Sequence, residues 1–100
     1  MTNYIKKITK TDLKKGILTL SHSKLELLRK YRGEEIWLEI GNDYDSKPYM
    51  LNDDNDNNLR FSGLKKWYED RNIKIGTKIR ILFDEKELYQ NLHVIHLELV

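Results

Sequence analysis

Several groups in this chain have the residue types for metal or acid–base chemistry, and their spacing decides against most of it. Asp54, Asp56 and Asn58 show the alternating rhythm with which an EF-hand loop begins. The pattern then fails, because Leu59 stands in the place of the turn glycine and Lys65 in that of the bidentate glutamate. A polar acidic loop is the better reading. His93 and His96 form an H-x-x-H pair that would share a metal on a helix, but strand periodicity sends them to opposite faces. His22 stands alone near a helix start, where a structural role is the commoner one. Asp84, Glu85 and Lys86 have the residue types of a nuclease centre, yet they fall in an expected turn with no preceding Pro-Asp pair. There is no glycine-rich phosphate loop and no Ser-centred nucleophile motif. The expectation is a non-enzyme with no metal and no cofactor. What remains is charge: from Leu59 to Leu82 the Lys and Arg fall mainly where the apolar pattern faces water, as on a nucleic-acid-binding corner.

That charge is segregated. Residues 1–33 hold nine Lys and Arg against Asp12 and Glu26, and residues 34–58 hold eight acids against Lys47. Residues 59–80 return to seven basic against two acidic, so a net charge of +2 conceals alternating blocks. Folded together, two basic blocks can make one face that orients toward a polyanion. The bland alternative is a lysine-rich surface that keeps a small domain in solution. The length of 100 residues suits one domain, and 39% hydrophobic with 34% charged residues suits a folded one. No apolar run reaches the roughly 20 residues of a membrane span. The start has no signal-peptide core and the chain has no cysteine, so the expected location is cytoplasmic.

The elements that would position such a face are short. Residues 4–9 and 17–20 read as strands around a Lys14-Lys15-Gly16 turn. Ser23 with Glu26 makes a capping box for a helix that buries Leu25 and Leu28, aided by Leu27 or Tyr31, and ends at Gly33. Residues 35–40 alternate, with Ile36, Leu38 and Ile40 on one face and Trp37 on a partly covered other. A turn at 41–46 and a strand at 47–51 follow, where Pro48 argues for an edge. After a polar loop at 52–58, residues 59–61 lead to a second helix capped by Ser62, with Leu64, Trp67 and Tyr68 inward. Gly76 turns the chain into a strand at 78–83, and a last strand spans about 89–99. Seven strands with two corner helices give a mainly β, barrel-like fold.

Two segments resemble a known family. Tyr4, Lys6, Thr9, Thr11, Asp12 and Leu13 fall in the register of the opening of the B3 DNA-binding domain. Gly63, Leu64, Trp67, Ile73, Gly76 and Ile79 match that family's helix and following turn without a gap, and the order of elements between the segments agrees. The resemblance covers nearly the whole chain and extends to the N-terminal domain of the EcoRII restriction endonuclease. It implies a seven-stranded open pseudobarrel that grips the major groove of double-stranded DNA with two arms, here an N-arm at about 9–16 and a C-arm at about 52–60. The residues it points to are Lys6, Thr9, Lys10, Thr11, Lys14 and Lys15, then Asn55, Asn57, Asn58 and Arg60, with Lys65 and Lys66 as secondary phosphate contacts. Lys and Arg would fix the domain on phosphates, while Thr, Lys and Asn would read base edges.

The sequence departs from the family at three places. Thr77 replaces an Asp after the turn glycine, and Ser21 stands where a proline is common. Asp53, Asp54 and Asp56 put carboxylates in the C-arm, where they oppose phosphates unless turned away or paired. The absence of Ala and the wealth of Lys, Ile and Asn suit an AT-rich bacterial genome, hence a restriction or regulatory protein, of which the chain would be all or an excised domain. Two rival readings remain. One is a protein-interaction module on the same fold using the acidic block and Trp37; the other is an OB-like binder of single strands or RNA, which needs exposed aromatics on a strand platform.

Overall fold

The structure, a computed structural model, describes residues 2–20, 23–41, 46–53 and 58–100, without the side chains of residues 23 and 24. Seven strands, β1 (Thr2–Lys7), β2 (Leu18–Leu20), β3 (Glu35–Ile40), β4 (Lys47–Asp53), β5 (Leu59–Phe61), β6 (Lys78–Tyr89) and β7 (Leu92–Leu99), form one sheet. Its order is β1-β6-β7-β3-β4-β5-β2. Neighbours run antiparallel except β3 and β7, which are parallel.

Alternation sets the inner face. Ile36, Leu38 and Ile40 of β3, Ile79, Ile81 and Phe83 of β6, and Ile95 and Leu97 of β7 are all buried. Leu18, Leu51 and Phe61, from the other end of the sheet, join the same cluster, so the sheet curls around one core as a half-barrel. Two helices, α1 (Lys10–Lys15) and α2 (Lys65–Asp70), pack on each other, and α2 inserts Trp67 and Tyr68 into the core. Strands β1 and β2 are the two edges of the sheet, and α1 joins them directly.

Four local expectations are corrected. Residues 10–15 are a helix rather than an open arm, because Thr9 and Asp12 form a reciprocal capping box and Gly16 closes the end at φ 66°. This shortens β1 to Lys7. Ser23–Tyr31 is a 3₁₀ helix, whose three-residue repeat lines up Leu25, Leu28 and Tyr31 against the core and leaves Leu27 41% exposed. Ser62 does not cap α2: Leu64 takes that position without a side-chain bond, and its N–H donates to the Gly16 carbonyl at 2.8 Å. Asp84, Glu85 and Lys86 lie within β6, not in a turn, across a register shift between Phe83 and Leu88. The real turn is Gln90-Asn91, at φ 52° and 65°, the positive pair of a tight hairpin.

Candidate nucleic-acid interface

Six residues are too few for a helix to persist in water on its own. Helix α1 is held by its ends and by one buried side chain. Asp12 has no exposed surface, and its Oδ2 accepts from the Thr9 amide at 3.1 Å and meets the Lys6 ammonium at 3.0 Å. Its Oδ1 accepts from the Thr19 amide at 3.3 Å and from the Thr19 hydroxyl. Burial opposes the charge on Asp12, but the Thr19 hydroxyl, the Thr9 amide and Lys6 outweigh it and hold the carboxyl below its ordinary range. At the other end a Cβ on Gly16 would lie 2.7 Å from the Lys65 Cβ, so only glycine allows α1 and α2 to meet this closely. Tyr68 seals the joint by donating to the Ile17 carbonyl at 2.5 Å, and burial, with Asp12 adding, pushes its phenol up.

Clamped in this way, α1 turns Lys10, Thr11, Lys14 and Lys15 to solvent. Among the described residues none of these three lysines has an ion-pair partner. Lys65, exposed at the start of α2, stands against Gly16 and therefore beside Lys15.

Strands β2, β5 and β4 add a row of polar residues. Thr19 lies opposite Arg60, and Arg60 opposite Asn52, on the face away from the buried Leu18, Phe61 and Leu51. Arg60 is half-buried, and its Nε is buried with no hydrogen-bond partner. By contrast Arg29, Arg32 and Arg80 are paired with Glu26, Asp53 and Glu98 at 2.7, 3.6 and 3.1 Å. A cation fixed in a strand beside α1, with no anion to meet it among the described residues, is an unmet hydrogen-bonding group of the kind that marks functional sites.

The remaining expected residues divide. Lys6 sits on Asp12, its side chain only 12% exposed, so its ammonium serves the fold. Thr9 is the N-cap of α1, its hydroxyl accepting from the Asp12 amide at 3.1 Å. Lys66 pairs with Asp70 at 3.4 Å on the exposed side of α2. Asn58 is half-buried just before β5. Asn55, Asn57, Asp54 and Asp56 lie outside the described residues, as do Ser21 and His22. Pairing runs to Asp53 and resumes at Leu59, so the C-arm connection is 54–58, shorter than 52–60. Asp53, the one described carboxylate of that arm, is turned to Arg32.

Thr77, in place of the family's Asp, accepts from the Lys74 amide at 3.0 Å and so closes the turn. His93 stacks on Tyr31 at 4.2 Å, whereas His96 bonds Glu87 at 2.8 Å, on opposite faces as the alternation requires. Sequence reasoning missed Thr19 and Asn52 as members of the site. Only strand register brings them beside Arg60, whereas the helix at 10–15 had a local signal, the T-x-x-D spacing of Thr9 and Asp12, that was not read as a cap.

The sheet order, the two packed helices and the edge-joining position of α1 decide the architecture. The chain has the B3-like pseudobarrel fold. It superposes on the Arabidopsis FUS3–DNA complex with a TM-score of 0.66 and 17% identity, over 94% of this chain and 93% of that one. It also matches the N-terminal domain of Helicobacter pylori LlaJI.R1, at a TM-score of 0.63 and 16% identity, over 100% of this chain and 88% of that one. No protein-family model and no curated protein sequence matches the chain.

Proposed function

We propose that this B3-like pseudobarrel is a double-stranded DNA-binding module. The observation that carries the reading is Arg60, half-buried between Thr19 and Asn52 with its Nε unpartnered, next to a helix that turns Lys10, Lys14 and Lys15 outward. The duplex lies across α1 and the β2–β5–β4 row. Lys10, Lys14, Lys15 and Lys65 meet phosphates, and Arg60, Asn52 and Thr11 face the groove. Lys6 and Thr9 hold the helix in place, while Lys66 contributes only general charge. The likeness to a plant domain seen with DNA supports the partner. The likeness to the Helicobacter pylori domain, with the Ala-free composition, supports a bacterial restriction or regulatory setting. The module itself does not catalyse; Glu85, the central member of the nuclease-like trio, is engaged by Lys30 and Tyr31.

A mobility-shift assay on random duplex across a salt series tests this. The expected result is binding at low salt whose logarithm falls linearly with the logarithm of salt concentration. No binding at low salt, or binding without a slope, overturns the reading. The interaction-module alternative has its own support in Trp37, stacked on Tyr89 at 4.5 Å beside the exposed Glu35 and Met50. It predicts chemical-shift changes around residues 34–53 with a protein partner and none in α1 with duplex.

A further inference from the structure

The two edges of the half-barrel do not pair with each other, yet one carboxylate touches both. Asp12 Oδ2 meets Lys6 of β1, and Asp12 Oδ1 takes both the amide and the hydroxyl of Thr19 of β2. Thr19 is in turn the cross-strand neighbour of Arg60. We propose that Asp12 is the positioning residue of the interface: it latches the seam of the pseudobarrel and, through Thr19, fixes helix α1 in one place relative to Arg60. This rests on the DNA reading for its consequence, not for its geometry.

The physical case has three parts. Helix α1 has a single turn and a half and a lysine-rich exposed surface, so its own propensity cannot hold it. Its tie to α2 at Gly16 fixes the C-terminal end only, through the Leu64 amide at 2.8 Å. At the N-terminal end the side-chain ties meet at Asp12, whose carboxylate is faced by four donors, from Lys6, Thr9 and Thr19. A duplex that must meet Lys14 and Arg60 together needs their separation set beforehand, since ordering a loose arm on binding lowers affinity and selectivity. Asp12 meets Lys6, Thr9 and Thr19 rather than Arg60 or the exposed lysines, so it acts through Thr19 and through the helix it sits in.

The test uses the whole chain with Asp12→Asn, Thr19→Val and Thr19→Ser. Thr19→Val removes only the hydroxyl link and leaves the carboxylate and Lys6 in place, so it stays informative should Asp12→Asn fold poorly. Amide exchange, which needs no DNA, is the first readout. Thr19→Val should raise exchange at the Leu13 and Ile17 amides at least tenfold, while β6 and β7 amides stay within twofold and Thr19→Ser restores the original rates. The second readout is the ratio of affinities for a duplex selected from a random pool and for its scrambled form. Thr19→Val should reduce that ratio at least fivefold with a salt slope within one of the original, because the lysines remain. Unchanged α1 exchange in Thr19→Val overturns the latch, and an unchanged ratio overturns its role in readout. If the unaltered protein ignores duplex at low salt, the DNA reading falls and the exchange arm alone decides the latch.

Discussion

Asp12 keeps its charge without any contact with water because four donors face it, and that has a pH signature. Its carboxyl titrates below the ordinary value of 3.8 in the fold, so the folded state binds fewer protons than the unfolded one as pH falls through that range. The stability it contributes is therefore complete above about pH 5, erodes below about pH 4, and is gone once pH passes under the depressed folded value. Thermal melts from pH 7 to 2 should show this loss, and Asp12→Asn should flatten it. Asp12→Ala leaves the largely covered Lys6 ammonium without its carboxylate, strips Thr19 of its acceptor, and should cost about 3 kcal/mol in a denaturant titration. Tyr68→Phe removes the bond to the Ile17 carbonyl and should cost about 1–3 kcal/mol, with no change in fold. At this scale the sequence was partly legible. Thr9 and Asp12 stood in the right register, but the ties from Asp12 to Lys6 and Thr19 depend on two sheet edges meeting, which no local pattern encodes.

Among the elements, the joint between α1 and α2 is the least tolerant of change. Gly16→Ala forces a side chain into the left-handed region and places its Cβ 2.7 Å from one Lys65 atom and 2.9 Å from another. A loss of roughly 2–4 kcal/mol is expected, against about 1 kcal/mol for Gly33→Ala, where φ is 82° but nothing lies within 4 Å. Parallel melts of the two variants check the difference; equal losses would mean the close approach to Lys65 carries no weight. Strong periodicity made β3, α2 and the inner half of β6 readable, since Ile36, Leu38, Trp67, Ile79 and Ile81 repeat at the period of their element. The elements that misled were short or polar. Lysines at 10, 14 and 15 hid a helix whose stability is tertiary, and Asp84 and Glu85 imitated a turn inside a strand whose pairing continues past a bulge.

For the whole molecule, the alternating charge blocks along the chain become a matter of where the sheet order puts them. Lys14 and Lys15 reach the side of the fold where Arg60 lies, because α1 spans from β1 to β2 and β2 pairs with β5. Converting both lysines to Glu should weaken duplex binding by tenfold or more and lower the salt slope by about 2, as measured across the same salt series. Reversal of Glu35 and Glu39 should leave that slope unchanged if the acidic strand face lies away from DNA. The sheet order has a further consequence, for how the molecule holds together. Strand β7 stands third in the sheet, between β6 and β3, and without it the sheet falls into β1-β6 and β3-β4-β5-β2. The seventh strand is thus an inner one, and it joins the two parts of the sheet. A fragment ending at Asn91, which lacks β7, should show no cooperative melt.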